Sequence, residues 1–374
     1  MASSTHNLYG GATAAPPPTP STQPNNPLAT SDAADALSKL FHRLPPPTLS
    51  LPTRRTPPAT CPPTLSLPFN DTTTQLDGLL SASLQLGFFQ LTDHTISSQL
   101  AHSAESDSLA LFDLPKDKKE SWFPKNWPLG YEADDDNDDE EEEEEGLVGL
   151  GESFRLDSSC STESSTELSL DSLREFSRAL EKVGLRIVEL LCNAVGFENP
   201  IGEDPTRFCS MMWISECVAG NNKPIFSGGF YPYIVGLQYQ IRCQKYSLMA
   251  DSDWVSVLPQ VDTVMITLGD IAHVWSNGKL KKVRGRPVAQ LGDTNNTRCI
   301  SMTLLVTLPT DSTISPLLPK AVGVNEDEIE KDKEHGSTGE QEERLFNSFS
   351  FEDYAWRVYH ERLLFKDPLD RYRI

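Results

Sequence analysis

The side chains of this 374-residue chain best suited to metal ligation or nucleophilic attack include seven histidines and seven cysteines. The histidines are His6, His42, His94, His102, His273, His335 and His360. None stands two residues before an Asp or Glu, so no His-x-Asp or His-x-Glu pair sets imidazole and carboxylate on one strand face. Cys61, Cys160, Cys192, Cys209, Cys217, Cys243 and Cys299 include no C-x-x-C spacing, and their number is odd. That excludes a zinc site or a disulfide framework and fits a reducing compartment. Nucleophile-elbow, phosphate-loop and dinucleotide-binding motifs are absent. The Gly pair in "SGGF", ending at Phe230, reads as a turn. "RGRP", Arg284-Gly285-Arg286-Pro287, has two readings. It is either a minor-groove DNA hook of Arg around Gly, or part of an ordinary strand.

The elements that would position these residues fall into distinct textures. Residues 1–63 are rich in Pro, Ser and Thr and read as a disordered arm. Order is expected from residue 64, with a short strand and then a helix presenting Leu76, Leu79, Leu80 and Leu84. "GFFQLTDHTI" reads as a strand and turn, and residues 96–112 as a second helix. The strongest helix spans about 168–195, with Leu173, Phe176, Leu180, Val183, Ile187 and Leu191 on one face and Gly196 as its stop. From 206 to 320 short β-rich runs alternate with turn residues, including "TVMITLGD" and "HVWSNGKLKKV". Residues 279–283 read as a strand there, and His273 as a hydrogen-bonded core histidine on a strand. His102 and His360 fall on helices. A polar insertion at 321–345 precedes a C-terminal helical segment, 346–374.

Net charge is -22, and 12 of the acidic residues sit in Glu132 and the run 134–145, leaving the rest near -10. The block, an insertion at 132–146, reads as a disordered, solvated loop. The overall charge opposes nucleic-acid binding, which also argues against the hook reading. No apolar run is long enough to span a membrane, and no secretory h-region is present. A cytoplasmic monomer is expected, with plastid or nucleus as alternatives.

In order and extent, these segments resemble the plant branch of the 2-oxoglutarate and Fe(II)-dependent dioxygenases, from Thr64 to the C-terminus. "GFFQLTDHTI" is similar to that family's N-terminal segment, with His94 in its structural turn. "DSDWVSVLPQVDTVMITLGDIAHVWSNGKLKKVRGRPV" is similar to its segment leading to the distal iron histidine. The resemblance implies a mainly β fold: a double-stranded β-helix, or jelly roll, behind an N-terminal helical and strand segment and before a C-terminal helix. It also implies that Trp122 and Trp127 pack near the barrel mouth.

In that family, iron is held by His-x-Asp and a distal His, and an Arg-x-Ser holds 2-oxoglutarate. Carried over, the His-x-Asp place reads Tyr231-Pro232-Tyr233, and the distal His place, 54 residues on, is Gly285. The Arg-x-Ser place reads Cys299 to Ser301, with Arg298 one residue out of phase. Arg298 and Ser301 are candidate remnants of a 2-oxoglutarate site. The family's Asn-x-Tyr-Pro is replaced by "MMWISE". The expectation is a dioxygenase-like protein without catalysis or cofactor, binding a small molecule or a protein partner. The alternative is a working oxygenase that holds Fe(II) and 2-oxoglutarate with unusual ligands.

Overall fold

The computed structural model describes residues 59–66, 76–133, 152–160, 168–202, 204–217, 230–250, 253–290, 299–317, 344–361 and 366–374. The Pro-rich arm before residue 59, the acidic run 134–145, most of the 321–345 insertion, His6, His42, His335 and Arg298 lie outside them.

Helical spacing of apolar residues produces the outer layer. Helices α1 (Leu76–Gln85), α2 (Ser98–Phe112), α3 (Lys116–Trp122) and α4 (Asp171–Val195) all precede the main run of strands. Ser97 caps α2, its hydroxyl accepting the Leu100 amide. In α1, Leu79 is buried, while Leu84 departs from the expected face and is exposed because the buried stripe runs through Leu79, Ala82 and Ser83. Helix α4 buries Leu173, Phe176, Leu180, Val183, Ile187 and Leu191 and ends where Gly196 takes a φ of 90°.

Period-two alternation produces the sheets. Strands β1 (Thr64–Ser66), β2 (Phe88–Thr92), β3 (Gly130–Glu132), β4 (Ser153–Asp157), β5 (Cys209–Cys217), β6 (Val235–Tyr239), β9 (Val264–Leu268) and β11 (Cys299–Thr307) form one sheet. Its order is β1-β2-β9-β6-β11-β5-β4-β3, antiparallel apart from β1 against β2. A second sheet has β10 (Val283–Gln290), β7 (Lys245–Ala250) and β8 (Asp253–Val257) in that order. Phe88 and Met265 of the first sheet meet Tyr246, Leu248, Val257 and Val283 of the second in one buried cluster. The sheets therefore face each other, giving a mainly β jelly-roll core with flanking helices.

The two faces of the large sheet differ in chemistry. Val306 and Leu237 point outward to α4, where a Cβ added to Gly184 would lie 2.8 Å from Val306 Cγ2. Residues one position along point the other way. Thus Arg155 pairs with Trp213, Trp213 with Thr303, and Thr303 precedes the Leu304–Leu237 pair that sets it beside Gln238. The inner face is polar.

Two local expectations fail. Residues 270–275 form helix α5 (Asp270–Trp275), so His273 lies on a helix rather than a strand. Residues 279–282 are not strand either, because Asn277 and Gly278 take φ of 52° and 83° and turn the chain before β10 begins at Val283. Two short strands, β12 (Thr313–Ile314) and β13 (Phe349–Ser350), lead into α6 (Phe351–His360), and a 3-10 turn at Pro368–Tyr372 closes the chain.

Candidate functional site at the barrel lumen

Tyr233 precedes β6 and turns its ring into the space between the sheets, fully buried. Gly236 makes that possible, since a Cβ there would lie 2.7 Å from Thr267 Oγ1 and 3.3 Å from Tyr233 Cε2. The phenol oxygen sits 2.8 Å from the Val283 carbonyl and 2.9 Å from the Gly285 carbonyl, one of which takes its proton, and 3.2 Å from Thr267 Oγ1. Tyr233 and Gly285, 52 residues apart, are thus in direct contact.

Gly285 itself lies in a bulge of β10, where the register with β7 shifts between Arg284 and Val288. Its φ is +68°, and a Cβ there would stand 2.1 Å from Cε1 of Phe230. The Phe230 ring occupies the space that a side chain at 285 would need. Arg284 carries its guanidinium 5.8 Å from the same ring and donates to the Lys366 carbonyl at 3.4 Å. Arg284 is buried, so "RGRP" is a bulged strand rather than an exposed hook.

Tyr231 goes elsewhere. Its ring meets Trp127 and Phe351, with centroids 6.1 and 5.9 Å away, and it lines a cleft of about 490 Å³ with Pro128, Leu129, Asp157, Met211 and Thr307. Trp127 also packs against Tyr359 and His360 of α6. Burial pushes the Tyr231 and Tyr233 phenols well above the ordinary tyrosine value, so neither gives up its proton readily.

This set does not fit an iron ion. Gly285 offers no donor atom, the Tyr233 oxygen is already engaged with two carbonyls, and Tyr231 stacks among aromatic rings. Among the described residues, no group of three His, Cys, Asp or Glu side chains is arranged to hold a metal. The remaining described histidines have structural partners or exposure. His94 spans the Asp262 carbonyl and the Ile96 amide, at 2.9 and 3.2 Å. His273 Nδ1 lies 2.6 Å from the Leu280 carbonyl, and burial lowers its pKa. His102 is exposed on α2.

Ser301, where the resemblance implies an Arg-x-Ser, is buried and accepts a hydrogen bond from Gln238 Nε2 at 3.2 Å. Gln238 Oε1, Gln240 Oε1 and Thr303 Oγ1 are buried without a hydrogen-bond partner among the described residues. Arg155, whose Nη2 lies 3.0 Å from Glu132 Oε2, also shares a side-chain hydrogen bond with Tyr359. Sequence reasoning missed Phe230, Thr267, Gln238, Gln240, Thr303 and Arg155. The signal for Arg155 was present: in "SFRLD" it alternates with buried Phe154 and Leu156 and so shares the inward face with Ser153 and Asp157.

Comparison with known proteins agrees with this architecture. The family model described as "non-haem dioxygenase in morphine synthesis N-terminal" matches residues 63–182. Gibberellin 2-beta-dioxygenase 2 of Arabidopsis thaliana is 23% identical over 305 residues, covering 76% of this chain and 81% of that protein. The 1-aminocyclopropane-1-carboxylate oxidase 2 of Doritaenopsis sp. is 25% identical over 301 residues, covering 75% and 84%. Among solved structures, JOX2 in complex with 2OG, Fe and JA superposes with a TM-score of 0.62 at 17% identity, covering 85% of this chain and 90% of that one. The rice dioxygenase for auxin oxidation gives 0.59 at 15% identity, covering 84% and 100%. The chain is similar in sequence to plant 2-oxoglutarate/Fe(II)-dependent dioxygenases and shares their fold.

Proposed function

We propose that this dioxygenase-fold protein does not catalyse oxygenation and instead binds a small polar molecule between its sheets without iron. The observation that carries the reading is the seat of the Tyr233 hydroxyl against the Val283 and Gly285 carbonyls, with Phe230 packed over Gly285. Restoring a metal there would require breaking those hydrogen bonds and moving a ring, with no nitrogen or carboxylate gained. The polar atoms of Gln238, Gln240 and Thr303 that lack a partner among the described residues support binding, because buried polar atoms without partners are costly and call for water or a ligand.

The test is an anaerobic titration with Fe(II) or Mn(II), with and without 2-oxoglutarate, read by thermal shift and by succinate release. No metal-dependent shift at micromolar metal and no succinate are expected. Metal stabilisation or turnover would establish the other reading, an oxygenase of non-standard ligands, and overturn this one.

A further inference from the structure

The cleft of about 490 Å³ beside Tyr231 has an acidic lining with no cationic side chain in it. The ends of β4, β5 and β11, helix α4 and the loop before β3 wall it, and none of Tyr233, Gln238, Gln240 or Thr303 lines it. Its charged side chains are Asp157, the last residue of β4, and Glu181, on α4. Asp157 Oδ1 is held by the Ser159 amide and hydroxyl at 3.1 and 2.7 Å, which orient the carboxylate and leave its charge unanswered. Arg174, which donates to the Ser159 carbonyl, pairs instead with Asp171 at 2.7 Å. Neither Asp157 nor Glu181 is ion-paired among the described residues.

Tyr231 adds an independent observation. Only 3% of it is exposed, it lines this cleft, and its hydroxyl has no hydrogen-bond partner among the described residues. Buried phenols ordinarily have one. Burial keeps this phenol protonated and neutral, so its oxygen is free to accept. Around it the wall is apolar, through Leu129, Phe208, Met211 and Leu308. Two unanswered carboxylates repel an anion. A metal ion is poorly served, since among the described residues no group of three His, Cys, Asp or Glu side chains gathers to replace its water. An organic ammonium suits every feature. Its N–H groups have charged and neutral oxygens to donate to, its charge meets the face of an aromatic ring, and its hydrocarbon body covers the apolar wall.

We propose that this cleft binds a primary ammonium compound with a compact apolar or aromatic body. The nitrogen donates to the Tyr231 oxygen within the field of Asp157 and Glu181, and the body lies against the apolar wall. The site is separate from the space between the sheets and goes beyond the reading proposed for that space.

Calorimetric titration of the full chain with phenethylamine tests this, beside phenethyl alcohol, its neutral counterpart, and hydrocinnamate, an anion of similar shape. It is repeated on Tyr231→Phe, on Glu181→Gln and on the pair Asp157→Asn with Glu181→Gln, with circular dichroism to verify folding. Asp253→Asn is the control, an exposed carboxylate of β8 that does not line the cleft. The amine is expected to bind at least about tenfold more tightly than the alcohol, and the anion not at all. That preference should fall about threefold or more in Tyr231→Phe and in Glu181→Gln, and vanish in the pair, while Asp253→Asn keeps it. If the pair does not fold, the two single variants decide. Amine and alcohol binding equally, or neither binding, overturns the proposal. So does a preference that survives the cleft variants, or one lost equally in Asp253→Asn, which would assign it to the overall charge of -22. Each of these outcomes leaves the space between the sheets to its own metal titration.

Discussion

Gly285 is the position where a single atom decides most. Its φ of +68° lies in the left-handed region, and an added Cβ would stand 2.1 Å from Phe230. Gly285→Ala should therefore lower stability by about 1–3 kcal/mol through strain and overpacking. Urea denaturation of Gly285→Ala, with and without Phe230→Ala, checks this. The ring truncation should recover the contact part of the loss but not the backbone part, and a neutral Gly285→Ala would contradict the packing of Phe230. The resemblance implies a histidine at the place of Gly285, because the flanking segments match in order. It does not show that Phe230 fills the space, since "SGGF" carries no spacing signal for contact across 55 residues. The pairing of Tyr233 with the Gly285 carbonyl was hidden for the same reason, whereas the absence of His-x-Asp was plain from residue types alone.

At the scale of elements, helix α4 and the face of the large sheet behind it form a contact that glycine permits. Gly184 lies mid-helix, where glycine ordinarily costs about 1 kcal/mol relative to alanine. The compensation is close approach: its missing Cβ would lie 2.8 Å from Val306 Cγ2 and 2.9 Å from Leu237 Cδ1. Gly184→Val should push α4 away from β6 and β11 and cost about 1–3 kcal/mol, seen as a lower Tm in calorimetry. A Tm unchanged or raised would mean that the helix–sheet contact is loose. The helix itself was legible, because Leu173, Phe176, Leu180 and Ile187 recur at its period and Gly196 stops it. The strands were legible as short β-rich runs, but residues 279–282 were not distinguishable from strand by composition. Only the left-handed turn at Asn277 and Gly278 separates them from β10, and α5 is too short to show a helical period.

For the whole molecule, the chain end is tied to the barrel by buried charge, and this sets a pH dependence. Lys282 is almost fully buried and reaches Asp270 at 3.2 Å and Asp367 at 2.6 Å, while Tyr354 of α6 donates to Asp270 at 2.8 Å. Burial alone would raise the Asp367 pKa, but the Lys282 charge and hydrogen bond outweigh it and hold the carboxyl below its ordinary 3.8. A depressed carboxyl contributes stability above its unfolded value and loses it as pH falls through the folded one. His273 adds an earlier stage. Burial, aided by Lys282, depresses its pKa below 6.5 despite the Leu280 carbonyl, Asp270 and Asp367. The unfolded chain therefore takes up a proton near 6.5 while the folded one does not, and stability again falls with falling pH. The expected profile of urea stability is flat above about pH 7, declining below 6.5 and steepening below 4, where the ordinary carboxyl range begins. His273→Gln should flatten the first decline, and Asp367→Asn should reduce the second while lowering stability at neutral pH, where Lys282 would lose a partner. Stability that rises on acidification from pH 7 to 5 would contradict the buried, neutral state of His273. Added salt separates this network from the general repulsion of a chain at -22, because screening relieves exposed like charges but leaves a pair as buried as Lys282 and Asp270 nearly untouched. The acid-linked decline should therefore persist at high salt even as the neutral-pH baseline rises.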